Sequence, residues 1–342
     1  MTQKPLLFSG NSNPELAAEI ARAMETRVGH ALVTRFKNEE TRIQIQENVR
    51  GAEIFVIQSI CKSPDGLGVN DAVMELLLMI DALRRASAYR VTAVVPYYGY
   101  AKQDKKTTGR EPISAKLLAN MITTAGAKRM VTMDLHAAQI QGFFDLPVDN
   151  LMAMPTLCNY LRRKGLQGDR IVVVSPDAGG VGRAEAFAKR LGAPLAITFK
   201  RRPQPDVSEV TEIVGDVEGR IAVIVDDMIS TGGTLVKAAE AILSRGAREV
   251  FTLASHGIFA GDAIAQLEAS PISEVVVTNT IPVRPEALEN GKIKVLSVAQ
   301  TFADAIKRIT ANRSVSELFN ARDEREEKEE SPTLEASTAL VT

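Results

Sequence analysis

The chain has 342 residues, of which 45% are hydrophobic and 24% charged, and its formal net charge is −1. This length and balance indicate a globular protein with room for two domains. The near-neutral charge argues against nucleic acid or an anionic membrane as a partner. The two cysteines, Cys61 and Cys158, have no CxxC spacing, which argues against a disulfide framework or a cysteine zinc site and favours a cytoplasmic protein.

The first predicted helix covers residues 14–25. The N-terminal segment "MTQKPLLFSGNSNPEL" lacks the long apolar stretch of a signal peptide. The apolar helix "VMELLLMIDALRRA" is interrupted by Glu75 and Asp81. We therefore expect it to lie in a core and not to cross a membrane.

Short β-branched runs alternate with amphipathic helical stretches along the chain. The runs include 54–59, 91–98, 130–135, 170–176, 221–227 and 274–280. The helical stretches include 14–25, 70–86, 112–125, 181–191 and 233–245. Strands that are apolar on both faces and alternate with helices predict an α/β fold whose mostly parallel sheet is covered on both sides.

The chain also contains a weak internal repeat. The segments "GAEIFVIQS" (51–59) and "GRIAVIVDD" (219–227) each begin with glycine and continue as an apolar strand. A loop, a helix and another apolar strand follow in both cases. The repeat predicts two α/β domains of similar topology, which we place at residues 1–150 and 151–320.

The last segment, 321–342, differs in composition from the rest. It contains seven acidic and three basic residues and few large apolar ones. Such a segment cannot bury enough surface to offset its ordering entropy, so we expect a disordered acidic tail. A short solvated helix is the alternative.

The stretch "VIVDDMISTGGT" (223–234) carries the clearest chemical signal. The strand Ile221–Val225 is predicted to deliver Asp226 and Asp227 to its carboxyl end, where ligands bind in open parallel sheets. The loop 228–234 follows, and the next helix is expected to begin at about Leu235. Backbone N–H groups of such a loop form an anion site. The small residues that would line it are Ser230, Thr231, Gly232, Gly233 and Thr234.

Paired carboxylates beside a phosphate are explained if they accept hydrogen bonds from sugar hydroxyls or help to hold a divalent cation. A sugar phosphate is therefore the predicted ligand. The alternative, a helix cap followed by a turn, explains the small residues but not the two acids after a buried strand.

This stretch resembles the phosphoribosyl-diphosphate signature of the type I phosphoribosyltransferase fold. Other segments resemble ribose-phosphate pyrophosphokinases, in the same order, over about residues 5 to 320. These segments are "NSNPELA", "PYYGYAKQDKK", "REPISAKLLANMI", "DLHAAQIQGFFDLPVDNL", "VSPDAGGVGRA" and "SVSELF". The resemblance implies two phosphoribosyltransferase-like domains, each a mostly parallel sheet flanked by helices.

The same resemblance implies an enzyme of nucleotide biosynthesis. It would transfer the diphosphoryl group of ATP to the C1 hydroxyl of ribose 5-phosphate, giving 5-phosphoribosyl 1-diphosphate and AMP. The family pattern further implies Mg²⁺ as cofactor and a homo-oligomer, a hexamer. Relatives respond to phosphate and ADP through segments that Arg110 and 313–319 match, although the loop "KKTTGREP" differs.

The same resemblance implies the roles of individual residues. Lys200 and Arg202, in the loop expected after the strand "LAITF", match the catalytic cations, and Arg202 also matches a ribose 5-phosphate contact. His136 and Asp177 match the magnesium-associated residues, His136 directly or through water. Asp177, Gly179 and Gly180 match the diphosphate loop. The loop Ser230–Thr234, together with Asp226 and Asp227, matches the ribose 5-phosphate site. The residues that match the ATP-binding segments are Phe36, Asn38, Glu39, Glu40, Lys102 and Gln103.

Three positions depart from the family pattern: glycine is usual where this chain has Glu39, arginine where it has Lys102, and bacterial relatives commonly carry an acid where it has Ser230. The first two keep open a non-catalytic regulatory paralogue. A nucleobase phosphoribosyltransferase is the other alternative, but it would not need the ATP segments of the first 150 residues.

Overall fold

The computed structural model of the chain describes residues 5–201 and 210–319, without the side chains at positions 200, 201, 210 and 211. It contains fourteen strands and eight α-helices within these ranges. The elements of the first half are β1 (Leu6–Ser9), α1 (Pro14–Ala23), β2 (Ala31–Arg35), β3 (Thr41–Ile45), β4 (Glu53–Ile57), α2 (Val69–Arg85), β5 (Arg90–Val95), α3 (Ser114–Ala125), β6 (Arg129–Met133) and β7 (Val148–Leu151).

The second half begins with a helix and continues with the second group of strands. Its elements are α4 (Met154–Arg163), β8 (Ile171–Ser175), α5 (Val181–Leu191), β9 (Leu195–Arg201), β10 (Val210–Val214), β11 (Ile221–Ile229), α6 (Gly233–Ser244), β12 (Glu249–Gly257), α7 (Ala263–Ala269), β13 (Glu274–Thr278), β14 (Ile293–Leu296) and α8 (Ala299–Thr310).

The strands form two main sheets of related topology. The first has the order β1-β4-β5-β6-β7 and is parallel throughout. The second has the order β10-β9-β8-β11-β12-β13-β14, in which only β10 runs antiparallel to its neighbour. Each half inserts a hairpin after its first strand, β2–β3 in one and β9–β10 in the other. The predicted α/β fold with mostly parallel sheets flanked by helices is therefore confirmed.

Alternating side chains place each sheet between two apolar layers. In β4, Phe55 and Ile57 face a core shared by both halves, whereas Ile54 and Val56 face an outer core that α2 and α3 cover. In the second sheet, one face joins the same shared core and the other packs against α6 and α7. The helices α1, α4, α5 and α8 lie in the shared core between the two sheets.

The residue that caps α1 also joins the two halves of the chain. Asn13 caps α1 by accepting a hydrogen bond from Leu16 N at 3.3 Å, and Pro14 occupies the first turn. The Asn13 amide also donates to the Asn279 carbonyl of the second half at 2.8 Å. The two halves therefore contact each other through polar groups as well as through the shared core.

The structure corrects two boundaries. Strand β11 continues through Asp226 and Asp227 to Ile229, and α6 begins at Gly233, two residues before the position expected. Pairing of Met228 with His256 in β12 extends the ladder past the two acids. Strand β9 likewise continues to Arg201, so Lys200 lies in a strand and not in a loop after it.

The proposed division at residue 150 stays a prediction. Leu151, at that boundary, is the last residue of β7 and belongs to the first sheet. The predicted acidic tail, 321–342, lies outside the described residues. Among the helices of the described ranges, none is long and apolar enough to cross a membrane.

Candidate active site

The paired acids lie at the carboxyl edge of the second sheet, in its central strand β11. The Asp227 side chain is buried, and Asp226 is partly exposed. The backbone N–H of Asp227 donates to Asp226 Oδ1 at 2.8 Å. The apolar strand before them lies between two packed layers, which is why the two acids emerge where it reaches the sheet edge.

His136 reaches the same position from the first sheet. It follows β6, and its Nδ1 lies 2.7 Å from Asp227 Oδ2. The two residues are separated by 91 positions in the chain, so the contact joins the two halves. The carboxyl edges of both sheets thus meet at one cleft, as expected for ligand sites in parallel sheets.

Arg183 completes this cluster and was not identified from the sequence. It lies in the first turn of α5, directly after the glycine loop. Its Nη1 is 3.2 Å from Asp226 Oδ1, and its Nη2 is 3.4 Å from Asp227 Oδ1. The sequence does contain a signal that could have identified Arg183. It is a basic residue three positions after Gly180, on a helix that starts at the same sheet edge.

Contacts within the cluster shift the pKa values of the two acids in opposite directions. Burial raises the pKa of Asp226, and the neighbouring Asp227 raises it further. Burial also opposes ionisation of Asp227, but hydrogen bonding to His136 and the charge of Arg183 outweigh it and lower its pKa. The hydrogen bond with Asp227 raises the pKa of His136. Asp227 is therefore the more strongly ionised acid of the pair.

The predicted diphosphate loop follows β8 at the same sheet edge. Asp177 Oδ1 accepts a hydrogen bond from Gly180 N at 2.9 Å, while its Oδ2 has no hydrogen-bond partner among the described residues. A Cβ at Gly180 would come within 2.9 Å of the Ser175 hydroxyl, so a larger residue would disturb the turn. Asp177 thus presents one carboxylate oxygen to solvent.

The small-residue loop forms the start of α6. Gly232 has φ +79°, a left-handed conformation that glycine adopts without strain, and its carbonyl accepts the first helical hydrogen bond, from Val236 N. Ser230, Thr231 and Thr234 form no side-chain hydrogen bond with any described residue. Free hydroxyls and the unpaired N–H groups of a helix start together form an anion site. Gly233 and Thr234 belong to the helix itself.

Of the two predicted catalytic cations, Lys200 lies in strand β9 near the edge of this sheet. Lys200 pairs with Thr211 through the backbone. Arg202 lies outside the described residues. Their relation to the acids at the end of β11 therefore stays a prediction.

The predicted ATP residues fall into two groups. Lys102 and Gln103 follow β5, and both are exposed. The charge of Lys102 influences the pKa of His136, so this side chain lies near the cluster. The Gln103 amide oxygen accepts a hydrogen bond from the Ser114 hydroxyl.

The second group lies on the exposed β2–β3 turn. Phe36 is 50% exposed, and the Arg42 guanidinium carbon is 5.5 Å from its ring centroid. Asn38 accepts a bond from Glu40 N at 3.4 Å, and Glu39 has φ +69°. The hydrogen bonds of this turn are local, and none joins it to His136 within the described ranges. Lys102 therefore lies near the cluster, whereas the part of this turn in the site stays a prediction.

Buried polar groups next to the cleft connect the two sheets. His256, at the end of β12, contacts the Met133 carbonyl through Nε2 at 3.1 Å and Thr280 Oγ1 through Nδ1 at 2.8 Å. The Tyr97 ring packs edge-on against the His256 ring at 4.9 Å between centroids. Burial lowers the pKa of His256, which favours the neutral imidazole. These contacts connect the strand that carries His136 to the second sheet.

The arrangement can neutralise and orient a phosphorylated sugar. Within the described residues, no cluster of three or more histidine, cysteine or acidic side chains forms a metal cage. Mg²⁺ does not need one, because it keeps waters and binds through one or two carboxylates together with substrate phosphates. The free oxygen of Asp177 and the acids of β11 are of this type.

Comparison with known proteins identifies similar sequences. A family model for the N-terminal domain of ribose phosphate pyrophosphokinase matches residues 5–126. A model for a phosphoribosyl synthetase-associated domain matches residues 198–320. The ribose-phosphate pyrophosphokinase of Caldanaerobacter subterraneus is 55% identical over 313 residues, which cover 92% of this chain and 97% of that protein. The enzyme of the same name from Fusobacterium nucleatum is 52% identical, with 92% and 98% covered.

A solved structure is also similar over both halves. The crystal structure of phosphoribosylpyrophosphate synthetase from Mycobacterium smegmatis matches with a TM-score of 0.84 and 41% identity. The match covers 91% of this chain and 100% of that one. The two phosphoribosyltransferase-like halves expected from the sequence are thus confirmed.

Proposed function

Because the chain belongs to the ribose-phosphate pyrophosphokinase family and transfers the diphosphoryl group of ATP to ribose 5-phosphate, we propose that the reaction takes place in the cleft where His136 meets Asp227. The observation that carries this proposal is their 2.7 Å contact between the two sheets. The family assignment confirms the activity expected from the sequence over that of a nucleobase phosphoribosyltransferase.

Ribose 5-phosphate binds at the start of α6. The 5-phosphate accepts hydrogen bonds from the N–H groups of 232–234 and from the free hydroxyls of Ser230, Thr231 and Thr234. Asp226 and Asp227 accept hydrogen bonds from the ribose hydroxyls. Arg183 offsets the repulsion between the two acids and the phosphates.

Asp177 would hold Mg²⁺, with His136 nearby. Support comes from the donor set: one carboxylate oxygen of Asp177 is free, and the acids of β11 lie at the same sheet edge. When bound, the cation offsets the charge of the triphosphate and aligns it. Histidine is an uncommon magnesium ligand, so we assign His136 an indirect contact through water.

ATP extends from this point toward Lys102 and Gln103, with the adenine stacked on the exposed ring of Phe36. Asn38 and Glu40 contact the adenine edge, and Glu39 lies between them in the same ATP-binding segment. Since the hydrogen bonds of that turn are local, its part in the site rests on the family pattern. Lys102 presents a point charge where relatives present a planar guanidinium, which loosens the phosphate geometry.

The transfer is an in-line displacement. The anomeric hydroxyl of the ribose forms a bond to the β-phosphorus and loses its proton, while the bond from that phosphorus to the bridging oxygen of AMP breaks. Lys200 and Arg202 neutralise the charge that develops on the transferring group. No covalent intermediate with the protein is needed, so catalysis consists of positioning and charge neutralisation.

Three further features belong to the same proposal: a homo-oligomeric assembly, a hexamer, in the cytoplasm, and a response to phosphate and ADP. Each rests on the family pattern alone.

The decisive experiment measures AMP released from ATP, Mg²⁺ and ribose 5-phosphate, with and without inorganic phosphate. Ribose-5-phosphate-dependent AMP is expected. Its absence from folded protein under both conditions would favour the regulatory paralogue. Lys200→Ala should lower kcat far more than it weakens ribose 5-phosphate binding, whereas Lys128→Ala, at an exposed site, should change neither. Equal losses in kcat and binding would contradict the role of Lys200.

A further inference from the structure

A second cavity lies between the two halves of the chain. Its volume is about 560 Å³. The first half contributes the loop after β4, the start of α2 and the end of β5, and the second half contributes the loops after β12 and β13. None of the residues assigned above to ATP, ribose 5-phosphate or magnesium lines it.

The position of this cavity follows from the repeated topology. Strands β1, β4, β5, β6 and β7 correspond in order to β8, β11, β12, β13 and β14. The catalytic cleft combines the loop after β11 with the ends of β5 and β6. The second cavity combines the loop after β4 with the ends of β12 and β13, which is the same arrangement with the halves exchanged.

The equivalent positions show what has changed. Gly51 and Gly219 precede the corresponding strands, and both have φ +71°. Counting forward from these glycines, Gln58 stands where the second half has Asp226, and Ser59 stands where it has Asp227. Both carboxylates are therefore replaced by neutral side chains. This half of the repeat lacks the acids that would hold a cation or ribose hydroxyls.

The charge of the second cavity is positive. Lys62 comes from the first half and Arg284 from the second. Neither forms an ion pair with a described residue, and no aspartate or glutamate lines the cavity. Two cations without an ion-pair partner among the described residues, one from each half, favour an anion with more than one negative charge.

The rest of the wall is apolar or aromatic. Ile258, Phe259 and Ile281 contribute apolar surface, and Tyr97 contributes a hydroxyl that bonds to no described residue. Phe259 has φ +46°, and Tyr100, also in the wall, has φ +63°. Left-handed backbone at non-glycine residues is costly and clusters at functional sites. One of these two residues comes from each half of the chain.

We propose that this cavity is a second ligand site, which binds a phosphate monoester with a flat apolar body and does so without a metal. Lys62 and Arg284 bind the phosphate, which carries close to two negative charges at neutral pH. The ester body contacts the apolar wall, and the Tyr97 hydroxyl is available to it. The volume matches the lower half of the range typical of small-molecule sites.

The site lies close to the catalytic cleft, because the Tyr97 ring packs against the His256 ring, and His256 contacts the Met133 carbonyl at the end of the strand before His136. The experiment must therefore block the cleft. The full chain, in its own assembly, is titrated calorimetrically with 1-naphthyl phosphate while Mg²⁺, ribose 5-phosphate and a non-transferable ATP analogue are saturating. One binding event per chain is expected. 1-Naphthol has the apolar body without the phosphate, and inorganic phosphate lacks the body. Each should bind at least about tenfold more weakly than 1-naphthyl phosphate.

Variants separate the site from non-specific binding. The double variant K62Q/R284Q should weaken 1-naphthyl phosphate at least about tenfold. R50Q/K128Q removes the same charge from exposed positions and should leave binding unchanged. Val283→Phe fills the cavity without changing charge and should also abolish binding.

Three results would overturn the proposal. The first is equal binding by K62Q/R284Q and the parent chain. The second is loss of binding when the catalytic cleft is saturated, which would assign the probe to that cleft. The third is inorganic phosphate binding as tightly as the ester. Because AMP release is measured separately, a failure here leaves the assignment of the catalytic cleft untouched.

Discussion

Replacing Arg183 with methionine tests the organisation of the acid pair. The side chain contacts Asp226 Oδ1 at 3.2 Å and Asp227 Oδ1 at 3.4 Å, and Asp227 is 5% exposed. Removing one partner of a buried ion pair costs about 3–5 kcal/mol. Arg183 and Asp226 are each 26% exposed, and His136 still contacts Asp227, so we expect a loss of about 2–4 kcal/mol in unfolding free energy.

The loss can be measured by urea unfolding, followed by circular dichroism at one protein concentration in EDTA. With an m-value of about 3 kcal/mol per molar urea, the midpoint should fall by about 1 M. The urea midpoint of Arg183→Lys should lie between those of Arg183→Met and the parent chain, because an ammonium group reaches one carboxylate where the guanidinium reaches two. Lys189→Met, at an exposed position of the same helix, is the matched control and should change stability by less than about 0.5 kcal/mol. If Arg183→Met unfolds at the same urea concentration as Lys189→Met, the two contacts do not stabilise the acid pair and the reasoning fails.

Further predictions concern three other sites. Glu39→Gly should raise the unfolding free energy by about 1 kcal/mol, because a side chain at φ +69° is strained. Glu40→Gly, the control, should lower the unfolding free energy. Equal shifts for the two variants would contradict strain at Glu39. Glu75→Gln should cost about 2–4 kcal/mol, against almost nothing for exposed Glu240→Gln, because this buried carboxylate accepts three hydrogen bonds. A shift in urea midpoint no larger than that of Glu240→Gln would refute this. Burial raises the pKa of Cys61 to about 12, so its alkylation by iodoacetamide at pH 8 should be about a thousandfold slower than that of a free thiol. Peptide mass spectrometry checks the rate, which should rise with pH, and fast labelling of folded protein would disprove it.

Sequence patterns placed the acid pair and the glycine loop at the sheet edge, because the residues of each pattern are contiguous. Asp226 and Asp227 follow an apolar run that must be buried on both faces, so their place at a sheet edge could be predicted. The glycine loop before α5 was found for the same reason. The lengths of β9 and β11 were underestimated, because hydrogen bonding to neighbouring strands extends a ladder past the end of its apolar run.

The α/β class, the repeat, the family and the chemistry of the strand ends can be predicted from the sequence, since each depends on residues close together in the chain. Which distant groups meet is visible only in the folded chain. His136 contacts Asp227 across 91 positions, and Arg183 contacts both acids across more than 40. The left-handed φ of Glu39 and the second cavity near the catalytic cleft also depend on the tertiary structure. They depend on turn geometry and on how the two sheets face each other, and no local pattern of residues encodes either.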